Sequence, residues 1–382
     1  MTTPRTPFFA RTLGTLVLVS ASLLASAGCE EPDPSEAGGG GSGATGGGGS
    51  GATGGASACE GADANVTQVN GATCEQAASD YVPGAQDAWA ACISDDGDYH
   101  PFDPNISTIA RIAAFEKIAD LLGFGEDKAP STQDFIDARV EYSVDQGLES
   151  RVSRREDEHY PAAAKKCQDM TAEELAMNPD RCVGPARIQP LLNAAFQDGI
   201  DGKAPALNAA RIEAALLWFF YASVYKEATT CATTQADCDS HFAYYTGGEA
   251  PDQGLGLSRY TRERSTQAND FVWNGILAVR CWRDLDNPAG EAMDLARRDE
   301  ARAQLDRGLL RAVALIVRQR AGALPCDTAW ETVEILGAVL DREAVARDPE
   351  TAAVLRAELA KGKDEIDVAT FVKALDEVFP CP

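Results

Sequence analysis

Apolar positions along this chain recur at three- and four-residue steps. From Ser107 onward, Ile109, Ile112, Phe115, Ile118, Ala119 and Leu122 share one helical face, and Gly123 is placed to end that helix. Ser131 with Asp134, and Thr171 with Glu174, have the spacing of a capping box; the first precedes the apolar positions Phe135, Ala138, Tyr142 and Leu148. Within 205–228 the run from Ala214 to Ala222 is apolar all round, which predicts a central, buried helix. Residues 271–282, with Trp273, Ile276, Leu277 and Val279, predict its partner. Residues 291–320 begin charged and turn apolar at Leu309, Leu310, Val313, Ile316 and Val317, and helical segments follow at 330–347, 351–361 and 367–379. Alternating strands flanked by Asn-Gly or Asp-Gly are absent. The predicted fold class is therefore all-α: antiparallel helical bundles with short connections, in two packed subdomains, 59–200 and 201–382. No repeat of 30–45 residues is present, which argues against a solenoid.

The start of the chain follows a different pattern. Arg5 and Arg11 precede a short apolar run, 13–24, and no acid occurs before Glu30. That run is too short for a mature membrane-spanning helix, which needs ~20 apolar residues, but suits the core of a secretory signal. Ala25, Ser26, Ala27 and Gly28 then lead to Cys29. These residues resemble the lipobox of bacterial lipoproteins, with Ser26 standing where Leu is commonest. The resemblance implies that residues 1–28 are removed and that Cys29 is acylated and holds the protein to a lipid bilayer. Glu30 after that cysteine resembles outer-membrane sorting. In residues 29–58, the octet Gly-Gly-Gly-Gly-Ser-Gly-Ala-Thr occurs twice, from Gly38 to Thr53. Such a segment has no apolar surface with which to offset its chain entropy, and behaves as a coil with a reach of ~30 Å. It reads as a tether holding a domain off a membrane.

With Cys29 assigned to lipid, ten cysteines remain: Cys59, Cys74, Cys92, Cys167, Cys182, Cys231, Cys238, Cys281, Cys326 and Cys381. An even count in an exported chain reads as disulfides. Loop-closure entropy favours near neighbours, hence Cys167–Cys182 and Cys231–Cys238, with Cys326–Cys381 joining the C-terminal helices. The pairing of Cys59, Cys74, Cys92 and Cys281 stays open. Neither Cys-x-x-Cys nor Cys-x-x-Cys-His occurs, so a cysteine metal site or haem attachment has no support.

The net charge of −25, with 34 basic against 59 acidic residues, excludes nucleic acid and anionic headgroups as natural partners. No His-Glu-x-x-His, Gly-x-Ser-x-Gly, P-loop or Gly-x-Gly-x-x-Gly is present. No cofactor is called for by motif. A divalent metal has one set of suitable ligand types, Asp237, Asp239 and His241; the competing reading makes Asp239 or Ser240 the N-cap of the next helix. The segment Arg154 to Tyr160, with His159, reads either as a second polar site or as a solvated helix end closed by Pro161. Lys226, Glu227, Arg280, Arg283 and Asp284 flank the two most apolar helices. Charges in that position must pair or line a cleft, so they are either ligand-binding groups or a structural ion-pair network.

The stretch Pro130-Ser131-Thr132-Gln133-Asp134-Phe135-Ile136-Asp137-Ala138-Arg139-Val140-Glu141-Tyr142 resembles the first bundle of imelysin-like envelope lipoproteins. The resemblance implies two helical bundles and an association with iron or haem uptake; the family's Gly-x-His-x-x-Glu motif is absent from this sequence. Three functions are thus consistent with the chain: a tethered binding or interaction domain, an imelysin-like metal-associated protein, and a structural envelope protein without a small ligand. All three share one testable property. Labelling of the denatured, unreduced mature protein with a thiol reagent is expected to find no free thiol, the ten cysteines forming five disulfides; any stoichiometric label would break the pairing scheme and reopen metal ligation.

Overall fold

The computed structural model describes residues 66–71, 76–84, 87–125, 129–144 and 147–380. The signal, Cys29, the tether, Cys59, Cys74 and Cys381 lie outside them. Thirteen α-helices and no strand occur among the described residues. They are α1 (Ile109–Leu122), α2 (Thr132–Ser143), α3 (Glu149–Val152), α4 (Ala172–Met177), α5 (Gln189–Ile200), α6 (Pro205–Thr230) and α7 (Gln235–Thr246). There follow α8 (Leu257–Arg264), α9 (Thr266–Leu285), α10 (Leu295–Ala321), α11 (Asp327–Arg347), α12 (Pro349–Ala360) and α13 (Val368–Val378). None is long and apolar enough to cross a membrane.

Local signals set the helix ends. Gly123 closes α1 in the left-handed region, at φ 64°. Both capping boxes form: Ser131 with Asp134 starts α2, and Thr171 with Glu174 starts α4. Leu148 lies beyond α2, as the residue that opens the single turn of α3. Asp294, Asp348 and Asp367 accept first-turn N–H groups of α10, α12 and α13.

Helix α6 is the hub. From Asn208 to Ala228, Arg211, Trp218 and Lys226 alone stay out of the buried set, and α5, α7, α10 and α11 pack around the rest. The apolar run required this: each large side chain there contributes ~1.5–3 kcal/mol when removed from water. The expected partner of α6, residues 271–282, packs elsewhere. Helix α9 lies chiefly along α10. The reason is steric: Gly275 on α9 and Gly308 on α10 let the two backbones meet. A Cβ on Gly275 would stand 2.6 Å from Leu305 Cα, and one on Gly308 would stand 2.9 Å from Val272 Cγ2. A single hydrophobic cluster runs from Tyr81 to Phe379 across both expected subdomains.

Three disulfides join described residues: Cys92–Cys281, Cys167–Cys182 and Cys231–Cys238. The two short-range pairs are those favoured by loop length. The third pins the turn Ile93–Asp96 to α9 across 189 residues of sequence, a pairing that spacing left open. Cys326 is disulfide-bonded as well.

The glycine contacts yield a paired prediction. Gly275→Ala is expected to destabilise by ~1–3 kcal/mol, because Leu305 backbone atoms cannot give way without moving a helix. Gly337→Ala, whose Cβ would meet only the two Leu359 methyls, at 3.4 and 3.9 Å, is expected to stabilise by up to ~1 kcal/mol through helix propensity. Thermal melting of both variants checks this; equal effects of the same sign would contradict it.

Candidate functional site

Four groups of polar side chains in the interior are built where charged residues on or beside mostly apolar helices must find partners. The first lines an open cleft of about 440 Å³ between α1, α6, α8 and α10. Glu213, fully enclosed on α6, forms its floor. Arg320 Nη2 on α10 donates to both Glu213 oxygens at 2.9 and 3.1 Å, and the Tyr260 hydroxyl on α8 donates to one of them at 2.6 Å. Arg264, 4% exposed, donates to the Tyr260 carbonyl at 2.7 Å and lies over the Tyr260 ring. Arg259 and Glu263 line the mouth, and Arg259 pairs with Glu116 at 2.7 Å. Burial pushes the Glu213 carboxyl up against the opposing pull of the Tyr260 hydrogen bond and of Arg264 and Arg259. Burial likewise pushes Arg320 down, to about 10. None of the described lining residues is a serine, cysteine or histidine. The arrangement is suited to hydrogen-bonding and charge recognition of a small polar molecule. No sequence signal marked it, because Glu213, Arg259, Tyr260, Arg264 and Arg320 are scattered over three helices.

The second group contains two of the five residues singled out as ligand-binding. Glu227 sits at the C-terminal end of α6 and takes Arg155 at 2.9 Å and Lys226 at 2.9 Å; Lys226 also reaches Asp237 at 3.5 Å. Burial disfavours the Glu227 carboxylate, but Arg155 and Lys226 outweigh it and hold the group below its ordinary value. Arg155 lies over the rings of Phe219 and Tyr244. Arg280, Arg283 and Asp284 are elsewhere. Arg280 Nε donates to the His100 carbonyl at 2.6 Å, with its guanidinium over the Phe102 ring. Arg283, fully buried, donates to the carbonyls of Cys231, Asp286, Asn287 and Gly290. Asp284 accepts from the Ile93 N–H. Arg280 Nη1 stands 3.9 Å from Asp284, so the five residues divide into Lys226 with Glu227 at the end of α6 and Arg280 with Asp284 on α9, while the Arg283 guanidinium is spent on backbone carbonyls of loops.

The third group holds the proposed metal ligands. All three lie inside α7, whose N-cap is Thr234, so neither Asp239 nor Ser240 caps it. Asp239 does accept backbone N–H groups, but those of another segment: Phe102 at 3.0 Å and Asp103 at 2.9 Å, with the Tyr99 hydroxyl at 3.1 Å. It thereby ties the 99–103 loop to the core. Asp237 turns instead toward Thr230 and Lys226. The spacing explains the split, since residues two apart on a helix face different sides. His241 is fully buried beside Tyr99, its ring nitrogens lacking a well-formed hydrogen bond. Burial pushes its imidazole down to about 4, against the carbonyls of Cys238 and Ile276. Among the described residues, no group of three or more His, Cys, Asp or Glu is placed to hold a metal ion.

The fourth group is centred on His159. The solvated-helix-end reading of this segment fails: Arg155 and Asp157 are buried, and the His159 side chain is 3% exposed. Its ring lies between Asp157 at 2.6 Å and Asp306 at 3.0 Å, and stacks on Tyr225 with centroids 3.5 Å apart. Burial would lower its basicity, but the Asp306 charge and the hydrogen bonds to Asp157 and Asp306 prevail and hold it up at about 9. No protein-family model, curated protein or solved structure matches this chain.

The two buried histidines set opposite pH limits. Between pH 6.5 and 9 the folded protein keeps a proton on His159 that the unfolded chain releases, so stability falls as pH rises through that window. Between pH 6.5 and 4 the unfolded chain takes up a proton that buried His241 refuses, so stability falls as pH drops. Melting temperature is therefore expected to peak near pH 6.5. His159→Gln should flatten the alkaline limb, worth up to ~3 kcal/mol, and His241→Leu should flatten the acid limb. An alkaline slope unchanged in His159→Gln would refute the assignment.

Proposed function

We propose that this chain is an exported bacterial envelope lipoprotein, anchored through acylated Cys29, whose helical domain binds a small polar ligand in the cleft floored by Glu213. The observation that carries the proposal is the sequence of the first 58 residues: a basic start, a short apolar run, Ala25-Ser26-Ala27-Gly28-Cys29 and a repeated glycine-rich octet. Glu30 assigns the protein to the outer membrane on the sorting resemblance. The disulfides of the helical domain support export, because such bonds persist in oxidising compartments. The cleft supports binding over a purely structural role, because the accessible charges of Asp120, Arg259 and Glu263 line an open cavity above the buried Glu213–Arg320 pair.

Several acyl chains on one cysteine give stable anchoring, whereas one chain alone is marginal. Palmitate labelling and detergent-phase partition of wild type and Cys29→Ser test the anchor. Wild type is expected to take up label and enter the detergent phase, and Cys29→Ser to do neither while keeping its melting temperature. Label or membrane retention persisting in Cys29→Ser would refute lipidation.

A further inference from the structure

Three helices end at the open cleft of about 440 Å³: α1 at Leu122, α8 at Arg264 and α10 at Ala321. Their last turns put Ala119, Asp120, Glu263, Arg264 and Arg320 on its walls. A helix C-terminus leaves four carbonyls without intrahelical donors, carries a partial negative charge and is stabilised by a cation. At two of the three ends both needs are met. Arg264 is the last residue of α8, and Arg320 lies in the last turn of α10. The four final carbonyls of α8 are taken by the Ser265 N–H, by Gln68 Nε2 at 2.7 and 2.9 Å and by the Val69 N–H at 2.6 Å. Those of α10 are taken by the N–H groups of Gly322, Ala323 and Leu324. The end of α1 has neither. Its last turn holds no basic residue and carries Asp120 instead. Among the described residues, the Ala119 carbonyl accepts from Phe124, while no donor reaches the carbonyls of Asp120, Leu121 or Leu122.

The ion pairs of the cleft leave the same gap. Arg259 Nη1 meets Glu116 at 2.7 Å, Arg320 Nη2 meets Glu213 at 2.9 Å, and Arg264 Nη1 stands 4.0 Å from Glu263. Every guanidinium of the described lining thus has a carboxylate, and both Glu213 oxygens are spent on Arg320 and Tyr260. Asp120 is exposed on the wall and, among the described residues, its side chain has neither ion pair nor hydrogen bond. Glu116, Asp120, Glu213 and Glu263 therefore face Arg259, Arg264 and Arg320, four carboxylates against three guanidinium groups. The net charge of −25 draws cations toward such a surface. Val66, Ala119 and Phe124 add an apolar patch to the same walls.

We infer that the cleft takes a small aliphatic cation, a primary ammonium on a short hydrocarbon stem, with the ammonium at Asp120 and the end of α1. The inference rests on the reading of this cleft as a ligand site and names the chemistry of its ligand. An ammonium brings three N–H donors and one positive charge, which are what the α1 terminus and Asp120 lack. The stem finds Val66, Ala119 and Phe124. An anion of the same size would meet an unpaired carboxylate and the negative end of a helix, with each guanidinium of the lining already engaged.

Calorimetric titration of the purified full-length protein with pentane-1,5-diamine, 5-aminopentanoate and glutarate, three compounds with one stem length, tests the inference at matched ionic strength. One equivalent of the diamine is expected to bind, 5-aminopentanoate more weakly and glutarate not at all. Asp120→Asn should weaken diamine binding by roughly fivefold or more. The variant should fold, because Asp120 is exposed and bonded to nothing; with a like charge removed from the helix end, it should melt at or above wild type. Glu365→Gln, which removes one exposed charge from the α12–α13 connection, should leave binding unchanged. Diamine binding that is equal in Asp120→Asn and wild type, or that falls equally in Glu365→Gln, would overturn the inference. Glutarate binding in place of the diamine, lost in Arg259→Gln, would overturn the cation and keep the cleft as a ligand site. Binding of none of the three would remove both.

Discussion

A helix that offers water almost no polar face has to be enclosed on every side, and α6 imposes that condition on the whole domain. Its buried residues from Asn208 to Ala228 demand four neighbours, which α5, α7, α10 and α11 supply. Enclosure has a second effect. Glu213 and Glu227, carried on the same helix, are drawn out of water with it, and a carboxylate so placed must be met by cations. Arg320 meets the first and Arg155 the second. Two of the polar groups of the protein are therefore built on the most apolar helix it has, one in its N-terminal half and one at its C-terminal end.

The same logic governs the loops. Backbone groups removed from water need partners, and side chains from the helices provide them. Asp239 holds the N–H groups of Phe102 and Asp103, Arg283 collects the carbonyls around residues 286–290, and Trp273 Nε1 donates to the Gly97 carbonyl. Charged residues beside apolar helices therefore marked buried polar chemistry. Most of that chemistry is structural bonding between loop and helix.

What could be read from the sequence divides along the same line. The helical class, α1 with its terminal Gly123, both capping boxes, the buried α6 and the disulfides Cys167–Cys182 and Cys231–Cys238 rest on local spacing, which a sequence displays directly. Partner choice does not. That α9 lies along α10 depends on Gly275 meeting Leu305, two positions with nothing in their own neighbourhoods to connect them. The start of α7 was misplaced because Asp239 looks like a cap by type, while its real acceptor role is toward a loop some 140 residues earlier. The Glu213 cleft assembles from several elements, so composition gave no hint of it.

The bond between Cys92 and Cys281 also has a mechanical meaning. Residues 68–70 are hydrogen-bonded to the α8–α9 junction: Gln68 to the carbonyls of Arg262 and Glu263, and Val69 to that of Arg264. Tension applied from the N-terminal side would first meet these bonds, which yield singly at small load. Further along it meets a covalent link, which hands the load to α9 and so to the interlocked α9–α10 pair. Residues 68–70 can thus yield while Tyr81, buried in the core and bonded through its backbone to Gln304, and the disulfide behind it keep the helices in register, a division between a sacrificial contact and a load-bearing body.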